Sequence, residues 1–115
     1  MAADTGVQKL VLDQVELEQV GEGMNRRLVW GREMMMACIS LGAGTSVPKH
    51  RHPNEQITYF LAGEIDSRFG DDGEDQRHIS ASEILVISRD MPHAAKGLAD
   101  AEMIELFAPP RQDWI

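Results

Sequence analysis

The sequence predicts an all-β domain of the sandwich or barrel type. Short runs of β-branched and bulky apolar residues recur along most of the chain, and clusters of Gly, Pro, Asp and Asn separate them. Regular short strands joined by such turns are typical of β-sandwiches and β-barrels. The chain has 115 residues, which suits one domain around one core. Residues 1–115 are therefore predicted to form a single domain.

Seven segments have the composition of strands. They are Arg27–Val29, Met34–Ser40, Gln56–Ala62, Glu64–Phe69, Gln76–Ile79, Ile84–Ser88 and Glu102–Phe107. Turn signals such as Gly42-Ala43-Gly44 and Gly70-Asp71-Asp72-Gly73 lie between them. A weak helical pattern is found only at Val11–Val20. No repeat, low-complexity tract or linker divides the chain, so no domain boundary is placed.

Charge and composition limit the partners and the compartment. The formal net charge is −8, which disfavours attraction to nucleic acid or to an anionic membrane. No apolar stretch approaches the ~20 residues of a membrane helix, and the N-terminus lacks the features of a signal peptide. A cytoplasmic protein is expected. The single Cys38 has no partner for an internal disulfide.

Three further features of the sequence are interpreted as structural and not as ligand-binding sites. Methionine fills irregular gaps in cores, so the run Met34-Met35-Met36 is predicted to be strand core. The acidic residues of 71–75 lack the spacing of a calcium loop, which favours a solvated hairpin turn. His78 has no partner at ligand spacing and is predicted to be a surface or strand histidine.

The segment "KHRHPNEQITYFLAG", residues 49–63, has spacing that suits a metal site. Side chains at i and i+2 of a strand share a face, so His50 and His52 can direct two imidazole nitrogens to one point. After Pro53-Asn54 a new strand begins, in which Glu55 and Gln56 face opposite sides. Alternation alone leaves open which of these two joins the histidines.

Two motifs in this region resemble those of the cupin superfamily. The first is Gly44, five residues, His50, one residue, His52, three residues, Gln56, six residues and Gly63, with glutamine where glutamate is usual. The second is "ILVISRDMPHAAKGL", which ends on His93 and departs from the usual glycine and Pro-x-Gly turn. The resemblance implies a double-stranded β-helix, the cupin jelly-roll barrel, with a metal inside. It also implies the ligands His50, His52, Gln56 and His93, and leaves Glu55 pointing away.

A neutral amide in place of a carboxylate changes the chemistry expected of such a site. Three imidazoles and one amide oxygen leave the charge of a divalent ion uncompensated, which favours Lewis-acid chemistry on an anionic substrate over oxygen activation. Imidazole-rich ligation suits zinc, nickel, iron or manganese, and the sequence does not choose among them.

The C-terminal segment "MIELFAPPRQDWI" resembles the ending of a subgroup of single-domain cupins, the pectin-degradation cupins, as does "HPNEQITYFLAGE". These proteins convert the ring form of 4,5-unsaturated galacturonate into linear 5-keto-4-deoxyuronate. The resemblance implies that Glu105, Phe107 and Arg111 line the active site. The subgroup usually has aspartate at the first position, so Glu105 is a departure. One extra methylene moves a proton carrier by roughly 1 Å, enough to cost rate or to indicate another substrate.

The residues themselves leave alternatives open for this ending. Met103, Glu105 and Phe107 share one face of a strand, so Glu105 either faces a pocket or forms an ion pair on an exposed face. Arg111 either clamps a substrate carboxylate or forms a structural salt bridge. Trp114 is interpreted as a packing anchor.

The combined hypothesis is a metal-dependent enzyme acting on an anionic substrate, in which Arg111 binds the carboxylate and Glu105 moves a proton. The alternatives are a cupin-type polyketide cyclase, a metal-dependent dioxygenase and a non-catalytic sugar- or metal-binding cupin. For the cyclase, the large apolar positions Phe60, Phe69 and Phe107 suit a greasier substrate. The resemblance to the family also implies a homodimer. The face of the strand opposite Gln56 carries Ile57, Tyr59 and Leu61, which either form the dimer interface or are buried in the core.

Overall fold

Antiparallel strands make up more than half of the residues that the structure describes, in agreement with the all-β fold that the sequence predicts. The computed structural model describes residues 6–115. Its strands are β1 Glu18–Val20, β2 Met24–Trp30, β3 Met35–Leu41, β4 Ser46–His50, β5 Glu55–Phe69, β6 Asp75–Ser80, β7 Ile84–Ile87 and β8 His93–Ala108. Two short 3-10 helices, Leu12–Gln14 and Gln112–Trp114, flank the strands. Across this described part of the chain, no helix has the length and apolar character needed to cross a membrane.

The two long strands, β5 and β8, form the spine of a jelly-roll barrel. They pair with each other along most of their length, in the order β1-β2-β3-β8-β5-β6, while β4 pairs with β8 and β7 with β5. The first part of β5 pairs with β7 and its second part with β6. Similarly, β8 pairs first with β4 and then with β3. Both spine strands therefore cross from one layer of the barrel to the other.

A bend at Gly63 allows β5 to change layers. Register shifts interrupt its pairing with β8 between Phe60 and Ile65. Gly63 has a φ of 85°, and a Cβ there would collide with the backbone of Asp100 and Ala101. Only glycine fits this conformation and this close approach. The predicted strands on either side of Gly63 are consequently one bent strand.

The N-terminal helix prediction is wrong. Within Val11–Val20 the structure has a single 3-10 turn followed by β1. Strand β1 pairs with β2, placing Glu18 opposite Arg26 and Val20 opposite Met24. Pairing with a neighbouring strand outweighs a weak local helical pattern. Strand β4, which contains Pro48, and the first half of β8 were also not predicted.

The core follows the alternation of the strands. Its buried apolar residues are Leu28, Met35, Ala37, Ile39, Leu41, Phe60, Ile65, Ile79, Ala101, Met103 and Phe107. In the methionine run only Met35 is fully buried, whereas Met34 is exposed and Met36 half-buried, because β3 begins at Met35. Residues 71–74 form the predicted turn, and His78 is exposed on β6 beside Glu64.

Candidate active site

Three histidines meet at one end of the barrel. His50 ends β4 and pairs directly with His93, the first residue of β8. His52 lies in the loop after β4, so it reaches the cluster through that loop and not as the i+2 residue of a strand. One ligand atom from each of the three rings lies within 4.8 Å of the others. The predicted histidine cluster therefore exists, with a different origin for His52.

Backbone carbonyls fix the protonation of all three rings. Each Nδ1 lies close to a carbonyl oxygen two residues away: 2.8 Å for His50 and Pro48, 3.1 Å for His52 and Asn54, and 2.7 Å for His93 and Met91. A carbonyl only accepts hydrogen bonds, so Nδ1 carries the hydrogen and Nε2 carries the lone pair. Three lone pairs directed at one point, each set by a hydrogen bond on the opposite nitrogen, are the donor set of a divalent metal site.

Burial favours the neutral form of two of these rings. It lowers the pKa of His93 to about 4, and the hydrogen bond to Met91 opposes the shift. The charge of Arg111, and that of His50 or His52 whenever either is protonated, acts in the same direction as burial. Burial also lowers the pKa of His52, and the charge of Arg111 acts in the same direction. A ligating imidazole must be neutral, so these shifts suit metal binding near pH 7.

Gln56 faces this cluster, and Glu55 is exposed on the outer side. The Gln56 side chain is only 4% exposed, and its Nε2 donates to Thr58 Oγ1 at 2.9 Å and to Glu105 Oε2 at 2.8 Å. These two acceptors turn the amide oxygen toward His52 Nε2, 3.1 Å away. Two acceptors this close repel each other unless a cation joins them. Two atoms this close together could both lie ~2.1 Å from one ion, so the spacing fits a shared metal.

Glu105 lies in the barrel, on the opposite side of Gln56 from the histidines. It pairs across the sheet with Thr58, whose hydroxyl is 3.4 Å from Glu105 Oε2. Burial raises the pKa of Glu105 to about 7, although the charge of Arg111 and hydrogen bonds from Thr58 and Gln56 oppose the shift. The structure therefore favours the pocket-facing alternative for Glu105 over an exposed ion pair.

Arg111 is fixed by its neighbours in the C-terminal segment. Only 5% of the residue is exposed. Its Nε and Nη2 donate to the Asp113 carboxylate at 2.9 and 2.7 Å, and these bonds lower the pKa of Asp113. The guanidinium lies over the rings of Trp114, at 4.1 Å, and Phe107, at 5.2 Å. Arg111 therefore forms the predicted salt bridge, with Asp113 as its partner. The Nη1–Nη2 edge of its guanidinium still carries donors that can bind a second carboxylate.

One cavity of about 90 Å³ brings most of the candidate residues together. Its polar wall is formed by His50, Gln56, Thr58, Ser67, His93, Glu105 and Arg111. Apolar side chains form the rest, including Phe60, Phe69, Ile87, Met103, Phe107 and Trp114. His52 is buried behind this wall, with its ring edge-on to Phe107. The cavity has room for several water molecules. Its polar residues lie together, and the rest of its wall is apolar.

Three residues with supporting roles were not found from the sequence. Thr58 and Asp113 hold Gln56 and Arg111, respectively. Asn54 Nδ2 donates to the carbonyls of Pro109 and Pro110, which ties the histidine loop to the C-terminal segment. The sequence indicated Thr58 only through strand alternation, which places it on the same face as Gln56. The other two act through contacts between distant segments that no local pattern shows.

Comparisons with known proteins agree with this architecture. The Cupin_2 profile, described as a cupin domain, matches residues 38–108. KdgF from Halomonas sp. superposes with a TM-score of 0.82 at 24% identity, covering 91% of this chain and 97% of that one.

A second similar structure is an RmlC-like cupin from Shewanella frigidimarina NCIMB 400, with a TM-score of 0.85, 23% identity and coverage of 96% and 97%. An oxalate decarboxylase–formate complex from Lactobacillus farciminis gives 0.78 at 18% identity, covering 93% of this chain and 35% of that chain. No curated protein sequence matches the chain. These identities establish the fold, and the profile match over most of the chain establishes that it belongs to the cupin family.

Proposed function

We propose that this cupin is a metal-dependent enzyme that opens the ring of a 4,5-unsaturated uronate to give linear 5-keto-4-deoxyuronate. The observation that carries the proposal is the continuous contact from the histidine cluster through Gln56 to Glu105, with Arg111 in the same cavity. This arrangement supplies a metal position, a proton carrier and a carboxylate-binding group around one cavity.

The Nε2 atoms of His50, His52 and His93, together with the Gln56 amide oxygen, would hold the metal. Zinc, nickel, iron and manganese all suit these ligands. When bound, the ion supplies Lewis-acid stabilisation for an oxygen that gains negative charge. Because all four ligands are neutral, they leave its full positive charge available to an anionic substrate.

Arg111 binds and orients the substrate carboxylate in this mechanism. The Asp113 carboxylate occupies Nε and one hydrogen of Nη2, so the substrate meets the Nη1–Nη2 edge. Contact with Trp114 and Phe107 restricts rotation of the guanidinium. A fixed planar donor pair aligns a carboxylate better than a mobile cation does.

Glu105 moves the proton. In its acid form it protonates C4, while the C1–O5 bond breaks and the C5 oxygen becomes a ketone. The C1 hydroxyl loses its proton to become an aldehyde oxygen, and that proton restores Glu105. Atoms and charge balance, and the reaction is an isomerisation. A carboxyl held by Gln56 and Thr58 keeps one orientation through both transfers.

A second candidate, a polyketide cyclase, is supported by the apolar part of the cavity. Phe60, Phe69 and Phe107 contribute to its wall, and they suit a greasier poly-β-ketone folded by enolate chemistry. This reaction would use the same metal position, but it would not need Arg111 to bind a carboxylate. A dioxygenase or a non-catalytic sugar- or metal-binding protein uses the histidines without requiring Glu105 as a proton carrier.

Incubation of metal-replete protein with 4,5-unsaturated galacturonate tests the proposal. We expect the ultraviolet absorbance of the conjugated enol ether to fall faster than in an enzyme-free blank, and NMR to show the linear keto-aldehyde. Glu105→Gln should slow the enzyme-dependent fall by ~10²–10⁴-fold. An unchanged absorbance with metal-replete wild-type protein would reject the uronate reaction, and a poly-β-ketone would then be the next substrate to assay.

A further inference from the structure

The proposed reaction leaves one buried polar side chain of the cavity without a role. Ser67 is only 3% exposed, and it contributes to the cavity wall. In the described part of the chain its hydroxyl has no hydrogen-bond partner, and it takes no part in the bonds that hold Gln56 and Glu105. The side-chain atoms that are enclosed there without a partner belong to Asn25 and Arg26, and not to Ser67. The Ser67 hydroxyl therefore opens on the cavity.

Ser67 and Glu105 belong to different layers of the barrel. Ser67 lies on the second half of β5, after the bend at Gly63, where it pairs with Ala95. Thr58, which pairs with Glu105, lies on the first half of the same strand. The hydroxyl and the carboxyl therefore enter the cavity from two directions.

Strand register places these two groups at a similar depth. Nearest the histidines, Phe69 pairs with His93 in one layer, and Phe107 pairs with its partner on β5 in the other. The next inward-facing position is Ser67 in the first layer and Glu105 in the second, because side chains of a strand alternate between its two faces. A ligand that lies between the two layers can therefore contact both groups.

The residues around Ser67 leave space and offer no other polar group. Its inward-facing neighbours on β5 are Ile65 and Phe69, and its cross-strand partner is the small Ala95. A serine between two large apolar side chains forms a shallow recess in the wall. Burying a hydroxyl without a partner is unfavourable, so we expect water or a ligand to supply one.

We propose that Ser67 is a specificity-determining residue whose hydroxyl binds a ring hydroxyl of the substrate. This inference rests on the proposed function and assigns its substrate to the polyhydroxy acids. A 4,5-unsaturated uronate has hydroxyls at C2 and C3, and ring opening changes neither of them. A serine hydroxyl both donates and accepts a hydrogen bond, which matches a second hydroxyl.

The contact at Ser67 would orient the substrate for proton transfer. Arg111 binds the carboxylate in the proposed reaction, and one contact of this kind leaves the ring free to turn. A second contact at Ser67, from the other layer, fixes which face of the ring C4 presents to Glu105. Ser67 would thus select the substrate without moving a proton itself.

Isothermal titration calorimetry with metal-replete protein tests the proposal. The probes are galacturonate, a saturated uronate that cannot undergo the reaction, and its 2-deoxy and 3-deoxy analogues. Ser67→Ala should weaken galacturonate binding by roughly 3–10-fold, the usual loss for one neutral hydrogen bond. One of the two deoxy analogues should bind wild-type protein and Ser67→Ala equally, because it lacks the hydroxyl that Ser67 contacts. A merely structural role of Ser67 would weaken all three ligands alike.

Ser46→Ala is the matched control, because Ser46 is exposed on β4 in the same layer as Ser67. It should bind all three probes as the wild-type protein does. Thermal unfolding establishes that both variants are folded. Ser67→Cys keeps a side chain of similar size with a weaker hydrogen-bonding group, and it should show the same selective loss as Ser67→Ala.

Three results would overturn the proposal: no binding of millimolar galacturonate by wild-type protein, equal galacturonate affinities of wild-type protein and Ser67→Ala, and an equal loss for all three probes. The second would leave the hydroxyl bound to water alone. Failure of the proposed function is a different result. Absence of turnover of 4,5-unsaturated galacturonate, with the selective loss at Ser67 intact, would reject the reaction and retain the binding role of Ser67.

Discussion

A barrel is expected to have an apolar inner side and a polar outer side, but strands β5 and β8 show the reverse near the histidines. At the histidine end, the inner side carries Gln56, Thr58 and Glu105, whereas the outer side of β5 carries Ile57 and Tyr59. Burying an amide or a carboxyl without partners costs several kcal/mol. The inner polar groups avoid much of that cost because they hydrogen-bond one another. The inner side therefore holds the polar groups of the candidate site, whereas the outer side of β5 presents large apolar side chains to solvent.

This contrast makes the consequences of substitutions separable. A change on the inner side should alter metal content or turnover while the protein remains folded. A change on the outer side should leave both metal content and turnover unchanged. An outer-side variant that loses metal or turnover while staying folded would show that the two sides are coupled through the strands.

The largest inner-side effect is expected for His93→Ala. It removes one of three converging imidazoles, and loss of a direct ligand should weaken metal binding by more than the ~10–100-fold typical of an outer-shell partner. Metal analysis after dialysis should find little bound ion, and turnover should vanish. The control is His78→Ala, because His78 is exposed on β6 and is not part of the cluster. Full metal content in the His93 variant would contradict the site assignment.

Glu105→Gln should lower turnover by ~10²–10⁴-fold, the usual contribution of a proton carrier. The replacement amide can still accept the hydrogen bond from Gln56 Nε2, so metal content should be unchanged. Glu102→Gln removes the same charge from an exposed position on the same strand and should have little effect. Retained turnover in the Glu105 variant, with metal bound, would eliminate Glu105 as the proton carrier.

Much of this inner side was predictable because its signals are local. The spacing around His50, the resemblance to the cupin motifs and the alternation after Gln56 together predicted the barrel and the residues that meet in it. Asp113 and Asn54 were not predicted, because their roles depend on Arg111 and on the carbonyls of Pro109 and Pro110. Contacts between segments distant in sequence leave no periodic pattern, and the same reason explains why pairing with β2 replaced the expected N-terminal helix.

The outer side was less predictable from the same strands. Alternation showed that Ile57, Tyr59 and Leu61 share a face, but a two-layer fold can bury either side of a sheet. Strand register was needed to place Ile84 and Val86 beside Tyr59 and Ile57. The sequence therefore predicts the existence of an apolar side and not its extent across neighbouring strands.

Arg111→Lys should reduce kcat/KM by roughly 10–100-fold, mainly through KM. Lysine keeps the charge but loses the planar donor pair and the stacking on Trp114 and Phe107. Asp113→Asn tests orientation separately: it should produce a smaller rise in KM, because a neutral partner still accepts a hydrogen bond from Arg111 while holding it less firmly. Arg89→Lys, at an exposed arginine, is the control. An equal effect on kcat alone would assign Arg111 to the chemical step.

Gln56→Glu is expected to have the smallest effect, a fall in turnover of about tenfold with metal retained. The variant adds a negative ligand, which makes the ion less electrophilic, and it places a carboxylate where the amide now donates to Glu105. Gln14→Glu adds the same charge at an exposed site and controls for net charge.

The double variant Gln56→Glu/Glu105→Gln separates two causes of this fall, the added charge on the ion and the repulsion between two carboxylates. In the double variant an amide again faces a carboxylate, so the repulsion is removed. A further tenfold loss relative to Glu105→Gln alone would assign the effect to the ion's charge, whereas no further loss would assign it to repulsion between the carboxylates. Turnover that rises in Gln56→Glu would contradict the role given to a neutral ligand in this barrel.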